Sequence, residues 1–198
     1  MNKRMIDLCS GLGGASEAFV QAGWEVLRID DAPLMSGTPH TKQMCIFDFE
    51  EWVEDNVAIL PSPTLIWFSP PCLEFSTGFN APGPEAQRAG KEFHPSMDLL
   101  ECGMRIIKLL QPKYFVIENV RGAIKYFEPL LGAPNQINDA YVLWGRFPGF
   151  CPTDFITKAG KDSRHSPIRS NLRAKVPIEI SQALLEAIET QKSIFDFP

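Results

Sequence analysis

Cys72 sits in the run Ser69-Pro70-Pro71-Cys72-Leu73-Glu74-Phe75-Ser76, directly behind two prolines. The prolines stiffen the backbone and fix where the thiol stands. A thiol held this way can attack a ligand bound beside it, or it can be a small, inert core residue. Glu118 weighs on the first side. It heads Glu118-Asn119-Val120 directly after the apolar run Tyr114-Phe115-Val116-Ile117, and a carboxylate behind a buried strand is costly unless it is paired or used. A third group is the turn Asp7-Leu8-Cys9-Ser10-Gly11-Leu12-Gly13-Gly14, whose glycines let the backbone approach a ligand closely. Asp30 and Asp31 follow about 20 positions later, the spacing at which a carboxylate can grip the hydroxyl pair of a ribose. No Gly-Lys-Ser/Thr run is present, so the phosphate-cradling loop is excluded, and a nucleoside ligand without phosphates fits better.

These residues need elements to place them. Residues 5–8 read as a strand, the glycines as a turn, and Ala15, Ala18, Phe19 and Ala22 as a helix that stops at Gly23. Residues 25–29 predict a second strand, 64–68 a fully buried one halted by Pro70, and 114–117 another. Ser96 can cap a helix running through Leu99, Leu100, Ile106, Ile107 and Leu110 to Pro112. Strands alternating with helices predict an α/β fold, a Rossmann-like, doubly wound, mostly parallel sheet in a single domain, with ligands at the carboxyl ends of the strands. Asp30, Asp31, Cys72, Glu118 and the glycine turn all fall at those ends. Residues 77–95, with Pro82-Gly83-Pro84, Arg88 and Lys91, read as a long mobile loop able to close over a substrate. Pro177 opens a packing helix through Ile180, Leu184 and Ile188.

The chain has 198 residues, 44% hydrophobic and 22% charged, enough for one core and too few for a second domain of ordinary size. Residues 1–150 are expected to form the core, 151–176 a short basic segment, and 177–198 a helix and tail of the same domain. No long apolar run opens the sequence, which predicts a soluble, cytoplasmic protein. Five cysteines at irregular spacing and three histidines exclude a disulfide framework and a structural zinc site, and no metal is expected. A net charge of −5 excludes a general polyanion binder, so a nucleic acid would need a local patch. Lys158, Lys161, Arg164, Arg169, Arg173 and Lys175, against Asp162 alone, offer one, and a solvated loop with scattered charges is the competing reading.

Taken together and in order, DLCSGLGG, SPPCLEFS and IENV resemble motifs I, IV and VI of the cytosine-C5 DNA methyltransferase family. The likeness covers Met5 to about Val120. Trp144-Gly145-Arg146-Phe147-Pro148 resembles a variant of motif VIII, and Val176-Pro177 more weakly the last motif. The resemblance implies S-adenosylmethionine as cofactor and a cytosine flipped out of DNA as substrate. It implies that Cys72 adds to C6 of the ring, that Glu118 bonds N3 and the exocyclic amine, and that Asn119 steadies the site. It also implies a cofactor site in which Cys9, Gly11, Leu12 and Gly14 form the turn, Asp30 or Asp31 meets the ribose, Asp48 the adenine amine, and Pro71 and Leu99 flank the pocket.

The sequence departs from the family in places. Cys9 replaces an aromatic residue and Leu73 a glutamine, while Asp139 and Tyr141 occupy positions where the family carries an arginine pair, one member of which meets the cytosine O2. Arg121, Arg146 or the basic segment with Arg164, Arg169, Arg173 and Lys175 would then substitute. Family members insert a sizeable recognition domain where this chain has only Phe150 to Val176, which implies phosphate contacts and low sequence specificity. Gln191-Lys192-Ser193-Ile194-Phe195 resembles a peptide that docks on a replicative sliding clamp, and a tail packed on its own core is the competing reading. Two alternatives stay open: the same chemistry on RNA of the transfer-RNA type, and a non-catalytic DNA-binding subunit.

Overall fold

The computed structural model describes residues 3–153 and 167–191. Its strands are β1 (Arg4–Leu8), β2 (Glu25–Asp30), β3 (Thr41–Gln43), β4 (Leu65–Phe68), β5 (Tyr114–Val120), β6 (Gln136–Asn138) and β7 (Tyr141–Arg146). Its helices are α1 (Glu17–Gln21), α2 (Ile46–Asn56), α3 (Pro82–Arg88), α4 (Asp98–Leu110), α5 (Ile124–Leu131), α6 (Arg169–Ala174) and α7 (Ile178–Thr190). The strands form one sheet in the order β3-β2-β1-β4-β5-β7-β6. The first five run parallel, β7 is antiparallel to β5, and β6 is antiparallel to β7. The order reverses at β1, with β2 and β3 on one side and β4 and β5 on the other, which opens a crevice over the carboxyl ends of β1 and β4.

Both faces of the sheet are covered, which explains why β4 is apolar at every position rather than alternating: Leu65, Ile66, Trp67 and Phe68 are all fully buried. On one face Ile46, Phe49, Val53, Leu100, Ile106 and Phe127 of α2, α4 and α5 pack against Leu8, Ile66, Phe68 and Trp144. On the other, Phe19 of α1 and Ile180, Leu184 and Ile188 of α7 pack against Met5, Leu65, Trp67 and Leu143. Helix α4 ends where Gln111 turns left-handed (φ 47°) ahead of Pro112.

Two expectations are corrected. Residues 77–95 are not a plain loop: α3 occupies 82–88, with Pro82 in its first turn, where a missing N–H is harmless. Strand β5 does not stop at Ile117. Pairing with β7 carries it to Val120, with Glu118 opposite Leu143 and Asn119 opposite Val142, so both polar residues lie inside a strand.

Candidate active site

Cys72 comes four residues past β4, half-buried, at the head of a one-turn 3₁₀ helix (Leu73–Phe75). Its placement depends on Asn119, whose amide Nδ2 donates to the Pro70 carbonyl at 2.9 Å while its Oδ1 accepts the Val120 N–H at 2.9 Å. The Pro-Pro-Cys turn is thus tied from the side to the end of β5. Below it, Phe75 is buried edge-on against Phe127, with ring centroids 4.9 Å apart. The Phe75 carbonyl lies so close over Gly122 that no side chain fits there.

Glu118 is buried, and burial raises its carboxyl to about 7, against a lowering contact with Ser69. The Cys72 thiol is likewise raised, by burial first and then by the nearby Glu118 charge. The site therefore combines a thiol that holds its proton at neutrality with a carboxyl that changes its protonation close to neutrality. Tyr141, opposite Val120, belongs to the same neighbourhood: burial and the charges of Glu118, Asp139 and Cys72 raise its phenol to about 12, and its hydroxyl donates to the Lys175 carbonyl at 3.3 Å.

The glycine turn divides into two functional halves. Gly13 and Gly14 are packed from within. A side chain on Gly13 would strike the Arg28 guanidinium, and one on Gly14 would begin 2.2 Å from the Val176 carbonyl oxygen. The missing side chain of Gly14 admits the backbone that leads into α7. Arg28, buried in β2, donates to Ser16 Oγ at 2.8 Å, to the Gly13 carbonyl at 3.0 Å and to the Pro39 carbonyl at 2.8 Å. Ser16 in turn donates to the buried Asp7, whose carboxyl burial raises to about 7 while Ser16 and Arg28 lower it.

The other half faces outward. Gly11 is left-handed (φ 52°) with no heavy atom within 4 Å of where a side chain would begin. Beside it the Ser10 hydroxyl is buried with no hydrogen-bond partner among the described residues. Cys9 also adopts positive φ (56°), and burial, reinforced by Asp30 and Asp31, pushes its thiol far up. Asp30 braces the turn, accepting the Gly11 N–H at 2.8 Å and the Ala32 N–H at 3.0 Å, whereas Asp31 stands exposed at the end of β2. Asp48 is exposed in the first turn of α2, Leu99 half-buried in the first turn of α4, and Pro71 exposed beside Cys72, all at the carboxyl edge. An open glycine, an unsatisfied buried hydroxyl and two exposed carboxylates fit a nucleoside ligand.

Of the basic residues, Arg121 is exposed just past β5 and donates to the Asp139 carbonyl at 2.9 Å, on the same edge as Glu118. Arg146 is corrected: it pairs with Phe115 at the amino end of β5, and its guanidinium is held by the carbonyls of Pro112 (2.6 Å) and Lys113 (3.0 Å), at the opposite edge from Cys72. Arg169 and Arg173 are exposed on α6, and exposed Lys175 lies over Gly14 and Tyr141. Arg164 lies outside the described residues, as does 192–195 of the clamp-like peptide; Gln191 accepts a hydrogen bond from the Tyr114 hydroxyl. Among the described residues there is no group of three metal ligands and no helix long and apolar enough to cross a membrane.

Residues 3–128, which carry the turn, Cys72 and Glu118, match the family model of C-5 cytosine-specific DNA methylases. The chain belongs to that family. A family relative in Neisseria gonorrhoeae, the type II methyltransferase M.NgoFVII, is 28% identical over 124 residues, 61% of this chain and 31% of the relative, so this chain spans about a third of that protein's length. Type II methyltransferase M.HgiGI of Herpetosiphon aurantiacus is 29% identical over 126 residues, 61% of this chain and 92% of the relative. The probable DNA (cytosine-5)-methyltransferase of Frog virus 3 is 27% identical over 178 residues, 81% of this chain and 77% of the relative. Among solved structures, S. pombe Dnmt2 methyltransferase superposes with a TM-score of 0.38 at 17% identity, covering 81% of this chain and 52% of that one.

Ser69, Tyr141, Ser10 and Arg28 were not among the site residues expected from sequence. Ser69 carried a signal, since it precedes the two prolines at a strand end. Arg28 carried none, because an arginine in a short strand reads as solvent-facing.

Proposed function

We propose that the protein transfers a methyl group to C5 of cytosine in cytoplasmic DNA through a covalent bond between Cys72 and C6. The observation that supports this most is the juxtaposition, at one sheet end, of a proline-fixed thiol with the buried Glu118, whose carboxyl burial raises to about 7. Cytosine C5 is too weak a nucleophile to be alkylated unaided. As Cys72 gives up its thiol proton to water and its sulfur bonds C6, the C5–C6 π pair shifts to C5 and the Glu118 proton passes to N3, leaving C5 electron-rich without net charge on the base. Once C5 carries the methyl group, its proton passes to water, the electrons of that C–H bond expel Cys72 from C6 as a thiolate, and Glu118 recovers its proton from N3. Asn119 acts as a positioning residue through the Pro70 carbonyl.

S-adenosylmethionine, when bound, supplies an electrophilic methyl group on a sulfonium. The residues that would hold it are Ser10, Gly11, Leu12, Asp31 and Asp48, with Pro71 and Leu99 flanking, while Asp30 and Arg28 stiffen the turn from below. Arg121, Arg169, Arg173 and Lys175 would contact phosphates. Segment 151–176 standing in place of a recognition domain supports low sequence specificity.

The test is DNA carrying 5-fluorocytosine, whose fluorine cannot depart as the C5 proton does. With cofactor, wild type is expected to be trapped through Cys72 and Cys72→Ala not at all, and bisulfite sequencing of ordinary DNA to show no fixed site of four bases. Trapping that survives Cys72→Ala would sink the covalent route, and strict methylation of one site the specificity claim.

A further inference from the structure

Glu118 lies buried inside β5 and takes part in no ion pair among the described residues. When it gives up its proton, the carboxylate left behind must therefore be met by hydrogen-bond donors. The sheet register supplies one. Trp67 and Phe68 of β4 stand beside Val116 and Ile117 of β5, and one residue further Ser69 comes level with Glu118. Trp67 and Ser69 lie two apart, as do Val116 and Glu118, so the four share the face of the sheet on which Trp67 and Val116 pack with α7. Ser69 is held twice over. Its main-chain N–H donates to the Leu8 carbonyl at 3.1 Å, and its Oγ accepts the indole Nε1–H of fully buried Trp67 at 2.8 Å.

An indole nitrogen only donates, whereas a hydroxyl accepts and has one hydrogen of its own to give. With Trp67 donating to its oxygen, Ser69 keeps that hydrogen for the carboxyl beside it. Its contact favours the charged form of Glu118, against the burial that disfavours it. Donation by Trp67 also polarises the Ser69 O–H and makes it the stronger donor. We propose that Ser69, oriented by Trp67, is a positioning residue that supports the carboxylate left on Glu118 while its proton is on N3. This rests on the reading that Cys72 and Glu118 act on a cytosine. The proton passes from Glu118 to N3 and back, and Ser69 keeps its own hydrogen throughout. Such support is stronger once the charge has formed than before, so it lowers the barrier rather than only holding the ground state. Cys72 and Tyr141, the titratable groups that feel the Glu118 charge, are both raised and stay uncharged while it ionises. Asp139 and Arg121, exposed at the same edge, are common to every variant compared below.

The test follows the Glu118 carboxyl carbon by NMR in the full chain carrying isotope-labelled glutamate, without DNA, the resonance being assigned by its absence in Glu118→Gln. In Ser69→Ala the titration midpoint is expected to rise from about 7 by about one pH unit, since a hydrogen bond to a charged group is worth roughly tenfold or more. Trp67→Phe should raise it by less. With 5-fluorocytosine DNA, Ser69→Ala is expected to slow adduct formation about three- to tenfold at about pH 6, where Glu118 holds its proton in both proteins. Near about pH 9 the deficit should almost vanish, because the variant then keeps roughly ten times more of that proton than wild type. A merely structural loss would slow both alike. An unmoved midpoint in Ser69→Ala, or equal slowing at both pH values, overturns the role given to Ser69; an unmoved midpoint in Trp67→Phe overturns the part given to Trp67. If wild type forms no adduct, the methyl-transfer reading falls and the catalytic role of Ser69 with it, whereas the midpoint still reports whether Ser69 meets Glu118. Urea midpoints near wild type confirm that the variants compared are folded.

Discussion

Replacing Glu118 with glutamine should change stability in opposite senses relative to function. The wild-type carboxyl is raised from 4.5 to about 7 because burial disfavours its charge. Below about pH 4.5 the folded and unfolded chains both hold this proton, and it has no effect on stability. As pH rises, the unfolded chain releases the proton first, so folding must take one up, and stability declines until the folded carboxyl also ionises near pH 7. At about 1.4 kcal/mol for each pH unit, the whole window is worth about 3 kcal/mol. Glutamine keeps the shape and can still meet Ser69, and it has no proton to lose. Between pH 5 and pH 8, urea unfolding of the cofactor-free protein should therefore show Glu118→Gln gaining about 2 kcal/mol on wild type. Asp7, also raised to about 7, is present in both proteins and cancels. A difference between the two proteins that stays constant over this range would refute the claim that burial holds the proton on Glu118. The same substitution removes the proton that N3 needs, so trapping on 5-fluorocytosine DNA should fall by roughly 10²- to 10⁴-fold.

Asn119→Ala leaves the Pro70 carbonyl without its partner and frees the Pro-Pro-Cys turn, so a loss of about 1–3 kcal/mol in urea unfolding is expected together with slower trapping at Cys72; unchanged trapping would show that the turn holds itself. The two halves of the glycine turn should respond unequally: Gly11→Ala meets open space and carries only its left-handed backbone penalty of about 1–2 kcal/mol, whereas Gly14→Ala must also displace the Val176 backbone and should lower the thermal midpoint further.

Much of the fold was legible because the buried strands have no alternative. Residues 5–8, 64–68 and 114–117 are apolar runs too short for helices, and each is closed by glycine, proline or a charge. The thiol, the carboxyl and the turn could be placed at one edge because parallel strands all point the same way. The misreadings have physical sources. The end of β5 was set too early because Glu118 and Asn119 look like loop residues, yet pairing with β7 and a raised carboxyl make them tolerable in a strand. Helix α3 was hidden by Pro82-Gly83-Pro84, which reads as a breaker when scanned by composition and as a first turn when the chain actually enters there. Arg146 was grouped with the substrate side because antiparallel β7 reverses direction, a fact that lies in the pairing and not in the local sequence. The Asp7–Ser16–Arg28 network joins residues of β1, the turn and β2, and only three-dimensional proximity reveals it.

Gly14 lies against Val176, and Ser181 of α7 both donates to the Ala15 carbonyl at 2.7 Å and accepts the Ala18 N–H at 3.1 Å. The turn after β1 is therefore finished by α7, across a separation of 166 residues. Contacts that distant form late, after the intervening chain has been ordered. During synthesis, when amino-terminal parts are made first, the turn after β1 emerges without the residues that complete it. A nascent chain still missing α7 would carry Cys72 and Glu118 but no finished turn beside them. Reactivity toward DNA would then be withheld until α7 has been made, a timing built into the order of the elements rather than into any regulator.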